Sequence, residues 1–237
     1  MKRIYFDTLD STNDYCKRNA SLLPSFCVVY TTHQTKGKGR NQRSWVSEPF
    51  LNLSLSLFIK KPINHPEYLS ILTALAVVST LKALDIQPQI KWPNDILIEK
   101  KKVCGILLEA LNQGKKTDYI IGVGININTT SFPDELKKKA TSIAIFLNQT
   151  ISIKKVLRIF LRNWKKLFAT FEKKSDFYMQ EYKKYSCVLH QKIQFEYNRQ
   201  LCEGIVVDIL KDGSLQIEME NKKITINYGE ISLQNFY

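Results

Sequence analysis

Residues 51–59 read LNLSLSLFI, and Leu51, Leu53, Leu55, Leu57 and Ile59 alternate there with Asn52, Ser54 and Ser56. A period of two puts one row of side chains on a core, so this segment predicts a β-strand in a sheet. Its neighbours read the same way. CVVYTT (27–32) is a short β-branched strand, and DILI (95–98), VCGILLEAL (103–111) and YIIGVGINI (119–127) are buried strands separated by the polar turns EKKK and NQGKKTD. Helical patterns interrupt them. In HPEYLSILTALAVVSTLKAL (65–84), Pro66 suits a first turn, and Leu69, Leu72, Leu75, Val78 and Leu81 recur at helical spacing. Residues 153–186 carry a second apolar stripe (Val156, Ile159, Phe160, Trp164, Leu167, Phe168, Phe171), divided near KKSDF into two helices.

From about Cys187 the character changes. HQKIQFEY, CEGIVVDIL, GSLQIEM, KKITINY and EISLQ are five short strands, with Asp212 next to Gly213 and Glu220 next to Asn221 where tight hairpin turns belong. A small antiparallel barrel or sandwich over 186–237 is therefore expected to follow a larger first domain over 1–185.

Composition narrows the class. The chain has 237 residues, 44% of them apolar, enough for a proper core. No apolar run reaches membrane-spanning length, and MKRIYFDTLDSTND lacks the apolar stretch of a signal peptide. Cys16, Cys27, Cys104, Cys187 and Cys202 are scattered and odd in number, which reads as reduced thiols in a cytoplasmic protein. His33, His65 and His190 stand apart, so a transition-metal site built by the protein alone is not expected. A net charge of +13 favours encounter with nucleic acid, nucleotides, anionic metabolites or acidic proteins. Much of the excess lies in ELKKKA and NWKKLF, read as solvated helix faces.

Three stretches carry the chemistry. In TTHQTKGKGRNQRSW (31–45), Lys36, Lys38, Arg40 and Arg43 fall on a glycine-broken segment with no acid. Such a stretch repels itself and loses much entropy on ordering, so it either stays solvated and mobile or is organised by something anionic. A Walker P-loop would need G-x-x-x-x-G-K-[ST] before a helix, and a dinucleotide fingerprint would need a glycine at Gln42; this loop lies between strands and offers neither. What remains is a cationic loop able to close on an anionic ligand. The second stretch is IKWPNDILIEKKKVCGILLEA (90–110). Pro93 fixes the approach of Asn94 and Asp95 to a strand start, and Lys102 opens the next strand, so Asp95 and Lys102 are placed to flank one pocket; Lys100 and Lys101 are read as solvated. The third is IIGVGININ. Gly122 and Gly124 weaken a strand unless another backbone or a ligand comes close, and the amides of Asn126 and Asn128 need partners, for which an adenine edge would serve one.

STN (11–13), Q-x-x-G-K-G-R-x-x-R-x-W (34–45), KWPND (91–95), K-x-x-G-I-L-x-E (102–109), G-x-G-I-N-x-N (122–128) and GEISL (229–233) occur here in the order seen in biotin–protein ligases, and the chain resembles that family over nearly its whole length. The resemblance implies an α+β fold: a mixed sheet with packed helices, as in class II synthetases, followed by an SH3-like barrel. It implies ATP-dependent activation of biotin to biotinyl-5′-AMP, with Mg²⁺ carried by the nucleotide, and transfer to a lysine of a biotin carboxyl carrier domain. Cationic donors would lower the barrier to an anion attacking a polyanion, and a closing loop would keep water from the mixed anhydride.

By matching position, the resemblance implies that Ser11, Thr12, Asn13 and Gln34 line a biotin pocket with Gly37, Lys38, Gly39, Arg40, Lys102 and Gly105. Ser11 or Thr12 could also cap a helix. Arg40, Arg43, Trp45, Lys91, Asn94, Asp95, Lys102 and Asn126 are implied on the ATP side, with Trp45 against adenine. Lys102, Arg40 and Asp95 are the implied catalytic groups, Asp95 as a possible neighbour of the metal. Two positions depart from the commoner pattern: Lys38 replaces an arginine, exchanging a planar bidentate donor for a point charge, and Gln42 replaces a glycine. Both bear on adenylate retention, not on which reaction occurs.

Ten residues precede STN, so a ligase without operator binding is expected, with no membrane partner and either a monomer or a homodimer. A lipoate-type protein ligase shares the chemistry, and a basic RNA-binding protein is the rival suggested by a pI near 9.4. The latter should interleave aromatics with arginine on exposed strands, whereas the loop offers only Trp45. Biotin carriers are typically acidic, which gives the positive surface a plainer use.

Overall fold

The computed structural model describes residues 1–114, 116–220, 222–227, 229 and 231–233, with the backbone only at 42 and 113. The chain opens with β1 (Arg3–Leu9), α1 (Thr12–Arg18), β2 (Cys27–Gln34) and β3 (Leu53–Ile59). Next come α2 (Glu67–Lys82), β4 (Gln89–Lys91), β5 (Asp95–Ile98), β6 (Lys101–Gln113) and β7 (Lys116–Ile125). Helices α3 (Asp134–Lys137), α4 (Ile143–Leu147), α5 (Ile153–Phe168) and α6 (Ser175–Tyr185) lead to β8 (Lys192–Tyr197), β9 (Gln200–Ile209), β10 (Leu215–Met219), β11 (Lys222–Ile226) and β12 (Ile231–Leu233).

Seven strands form one mixed sheet in the order β1-β2-β3-β7-β6-β5-β4. Only β1 and β2 run parallel; every other neighbour is antiparallel. The sequence reading passed over β1, although Ile4 and Phe6 alternate with Arg3, Tyr5 and Asp7 there. The cationic loop therefore joins the second and third strands of the chain, not the first two.

The two faces of this sheet have different tasks. On one face Ile121, Val123 and Ile125 of β7 join Leu53, Leu55 and Leu57 of β3 in the main core under α2. On the other, Ser54 and Ser56 of β3 lie beside Gly124 and Gly122 of β7. All seven residues of β3 are buried, so the polar row read from its alternation does not face solvent. Helix α1 and the turn after it cover part of that row, with Cys16 and Ala20 in one cluster with Phe58 and Ile120.

Helix α2 is likewise more enclosed than an amphipathic stripe implies: 12 of its 16 residues are buried, because α5 and α6 lie on its outer side. Its hydroxyls are satisfied within the helix, Thr73 Oγ1 donating to Leu69 O and Thr80 Oγ1 to Ala76 O, and Thr73 also accepts from Trp164 Nε1 at 3.1 Å. The expected break between α5 and α6 falls at 169–174. Lys165 and Lys166 are exposed, as read.

The second sheet is antiparallel, in the order β11-β10-β9-β8-β12. Gly213 takes a positive φ of 83° at the expected turn, and an unforeseen turn at Asn198 and Arg199, both with positive φ, joins β8 to β9. The turn read at Glu220 and Asn221 lies partly outside the described residues. Apolar residues of this sheet, among them Ile193, Phe195, Val206 and Ile217, belong to the same continuous cluster as α2 and β7. Polar contacts tie the flanking segments as well: Trp92 Nε1, just past β4, donates to Gly213 O in the β9–β10 turn at 2.8 Å, and Cys187 N, between α6 and β8, to Ile90 O of β4 at 2.9 Å. No helix among the described residues is long and apolar enough to cross a membrane.

Candidate active site

A cavity of about 470 Å³ opens on the glycine-bearing face of the first sheet. Its floor comes from strand register. Gly105 of β6 and Gly124 of β7 are direct cross-strand partners, and the indole of Trp45 lies on both. A Cβ on Gly105 would sit 3.0 Å from the Trp45 ring, and one on Gly124 would collide with it. One on Gly122 would meet Asn13 Oδ1 at 2.5 Å. The strand glycines thus make room for side chains of this protein, where the sequence reading expected a backbone or a ligand. In front of Gly105, implied as a biotin contact, stand Trp45 and the stem of Lys102.

At one end, Ser11 caps α1 by accepting from Asp14 N at 3.3 Å, so Thr12 and Asn13 are buried in its first turn. Thr12 donates through N and Oγ1 to Gln34 Oε1, at 2.9 and 3.1 Å. Ser56 Oγ lies 2.7 Å from Thr12 Oγ1 and 2.5 Å from Asn13 Oδ1, and its single proton serves one of them. Asn13 Nδ2 donates to Glu109 Oε2 at 2.8 Å, and Lys17 neutralises the other oxygen of that carboxylate at 2.7 Å.

The loop above is organised by its own backbone. Trp45 N donates to Gly37 O at 2.9 Å and Gly39 N to Arg43 O at 2.7 Å, closing an irregular hairpin with Asn41 at a φ of 52°. A Cβ on Gly37 would come within 2.5 Å of Trp45 O, so this glycine serves the hairpin. It is also the one implied ligand-contacting residue that does not line the cavity. Lys38 Nζ reaches Asp14 Oδ2 at 2.6 Å, and that pairing raises the ammonium pKa above its ordinary value. Arg40 donates to Asn94 Oδ1 at 3.5 Å and to Gly229 O at 3.2 Å, which brings the second sheet's segment to the cavity wall.

At the far end, Lys102 Nζ lies 2.7 Å from Asp95 Oδ1. Their Cα atoms are not direct partners: Asp95 faces Gly105 and Lys102 faces Leu97 across a bulge, so the side chains close the gap. Asp95 Oδ1 is buried, and the Lys102 ammonium is the charge that faces it. Lys102 Nζ also stands 5.4 Å from the Trp45 ring centroid. Asn126 donates to Thr141 O at 3.2 Å, while its Oδ1 is buried and unpartnered. Asn128, read beside it as needing a partner, has two: its amide is bonded to both N and O of Ile151, at 2.9 Å each.

Electrostatics and polarity converge here. Among the described residues, six cations (Lys38, Arg40, Arg43, Lys91, Lys102 and Lys139) line the cavity against one carboxylate, Asp95. Lys139, read within ELKKKA as part of a solvated helix face, instead lies beyond the end of α3 and lines the cavity; it arrives because Lys102 N bonds Lys139 O at 2.8 Å and Thr141 N bonds Lys102 O at 2.9 Å. Among the described residues, two buried side-chain polar atoms have neither a hydrogen bond nor an ion pair, Trp45 Nε1 and Asn126 Oδ1, and both belong to this cavity. Beside it, burial pushes the Cys104 thiol well above its ordinary pKa, which disfavours a nucleophilic thiolate.

A mixed sheet thus bears a cationic hairpin over a glycine floor, and the segment beside the small antiparallel sheet closes one wall. The chain belongs to the biotin/lipoate A/B protein ligase family, whose pattern matches residues 5–126, and the biotin protein ligase C terminal domain pattern matches residues 189–234. The bifunctional ligase/repressor BirA of Bacillus subtilis is 40% identical over 151 residues, covering 60% of this chain and 46% of the relative. The chain thus matches about half the length of that curated relative. The biotin–[acetyl-CoA-carboxylase] ligase of Mycobacterium tuberculosis is 25% identical over 212 residues, covering 86% and 77% of the two chains. Among solved structures, the biotin protein ligase of Aquifex aeolicus in complex with biotin and ATP superposes with a TM-score of 0.86 at 26% identity, covering 98% of each chain.

Proposed function

We propose that this protein is an ATP-dependent biotin–protein ligase. Biotin's carboxylate attacks the α-phosphorus of ATP, pyrophosphate leaves, and the ε-amine of a carrier lysine then takes the acyl group from biotinyl-5′-AMP, releasing AMP. The observation that carries this reading is the pair of orphan polar atoms, Trp45 Nε1 and Asn126 Oδ1, in a six-cation cavity. A buried donor or acceptor without a partner is costly, and a bound molecule with complementary groups relieves it. Family membership and the similarity to the Aquifex protein solved with biotin and ATP support the choice of ligand.

The roles follow from position. Thr12, Asn13 and Gln34 form the polar end suited to the ureido ring. Asn126 Oδ1 is an acceptor suited to adenine's amino group, with Trp45 as the flat surface beside it. Lys102 and Arg40 hold carboxylate and phosphate oxygens and neutralise charge that grows as the nucleophile approaches, while Lys38 and Gly39 cover the junction. Mg²⁺ bound with the nucleotide would supply further charge neutralisation, with Asp95, the one carboxylate lining the cavity among the described residues, as its neighbour. We place the boundary between the two functional parts at 185/186; α6 ends at Tyr185 and β8 begins at Lys192. The partner is an acidic biotin carboxyl carrier domain in the cytoplasm, a compartment compatible with five free cysteines.

The test is incubation with biotin, MgATP and a carrier domain, followed by intact mass measurement of the carrier. A gain of one biotinyl group is expected. A gain with lipoate but not with biotin would move the assignment to the lipoate branch, and adduct-free carrier with both would reject the ligase reading.

A further inference from the structure

The loop's self-repulsion raises the question of what anion organises it, and the protein supplies one itself. Asp14, in the first turn of α1, holds Lys38 at 2.6 Å, closer than either contact that Arg40 makes. The carboxylate is available because Lys17, 3.6 Å away, is engaged more closely by Glu109 at 2.7 Å. Lys38 in turn pairs by backbone with Ser44, so the arm fixed by Asp14 is the arm opposite Trp45. A line of contacts then runs from α1 through Lys38 and Ser44 to the indole on the glycine floor.

We propose that Asp14 is a positioning residue: its carboxylate latches Lys38 and holds the hairpin of residues 37–45 shut over the cavity. Helix α1 carries both the latch and the polar end formed by Thr12 and Asn13, so occupancy of that end and closure of the loop bear on the same element. The compact ammonium of Lys38 suits a single short contact of this kind. The side chain of Lys38 is 52% exposed and that of Asp14 19%, so the latch is open to solvent on one side and weakens with salt. In terms of the ligase reading, on which this consequence rests, an open latch lets water reach the mixed anhydride, giving biotin and AMP without carrier modification.

The test is Asp14→Asn, which keeps the backbone N–H that Ser11 caps, with Asp14→Glu as the conservative variant. Trypsin cutting after Lys36, Lys38, Arg40 or Arg43 in the ligand-free protein should rise about threefold to fivefold in Asp14→Asn at low salt, the range of a solvent-screened pair, and recover in Asp14→Glu. Carrier-independent AMP release should rise relative to carrier biotinylation. Unchanged loop cleavage and AMP release would overturn the latch, as would a lowered melting temperature with cleavage spread beyond the loop. Loop cleavage needs no activity, so its outcome stands whether or not wild-type protein biotinylates a carrier.

Discussion

Gly105 and Gly124 face each other so that a tryptophan can lie across them, and the consequences of altering either are specific. In Gly124→Ala the new methyl collides with the Trp45 indole, whose ring must leave the floor. Displacement of this size costs about tenfold to a hundredfold in catalytic efficiency. We therefore expect a raised KM for ATP and a shifted tryptophan emission with the far-ultraviolet circular dichroism unchanged; wild-type kinetics would separate Trp45 from nucleotide binding. Lys102 makes a sharper test. Its removal takes away the cation beside Asp95 and Trp45, and ATP–pyrophosphate exchange in Lys102→Ala should fall by roughly 10²- to 10³-fold. Undiminished exchange would take Lys102 out of the mechanism.

At the scale of elements, two polar residues fix where strands and turns end. Asn52, just before β3, accepts from Ile127 N at 2.8 Å and donates to Thr129 Oγ1 at 2.7 Å, all three residues being buried. Removing its amide leaves two buried groups unpaired, so Asn52→Ala should lower unfolding free energy by about 2 kcal/mol or more in urea titration. A change below a few tenths would show that water replaces the amide without loss. At the β9–β10 turn, the hydroxyl and backbone N–H of Ser214 hold the Asp212 carboxyl below its ordinary pKa. A depressed carboxylate pKa stabilises the fold above the unfolded value and loses that contribution as pH falls through the folded one. Asp212→Asn should therefore flatten the acid side of the stability curve below about pH 4, where wild type declines. Matching acid titrations of the two proteins would contradict the assignment.

At the scale of the whole molecule, the two sheets share one apolar cluster running from β7 and α2 into β8, β9 and β10, beside a smaller one under α1. Two separable folding units would each need an apolar core of their own. Here Phe195 and Val206 pack into the cluster that also holds Trp164 and Ile121. Urea unfolding followed by tryptophan fluorescence and by circular dichroism should give one coincident transition, and Phe195→Ala should move all of it by about 3–5 kcal/mol. An early, separate loss of the small sheet would show that its packing adds little to cooperativity.

What the sequence determined by itself was whatever one segment's pattern dictates. The alternation at 51–59, the helical recurrences and the turn pairs placed most strands and helices. The spacing of KWPND and Lys102 brought an acid and a lysine toward one pocket. Edge strand β1 was passed over although Ile4 and Phe6 alternate there, because Tyr5 between them is apolar too and blurs the period of two. The tertiary structure alone decided which of two available partners each polar group takes. Asn128 and Asn126 are identical in type and spacing, yet a neighbouring loop satisfies one and leaves the other's oxygen bare in a cavity. Lys139 and Asp14 likewise gain their places from chain segments far away in sequence or folded back against them. Periodicity is a local property of a chain, whereas burial and pairing depend on what packs against it from a distance.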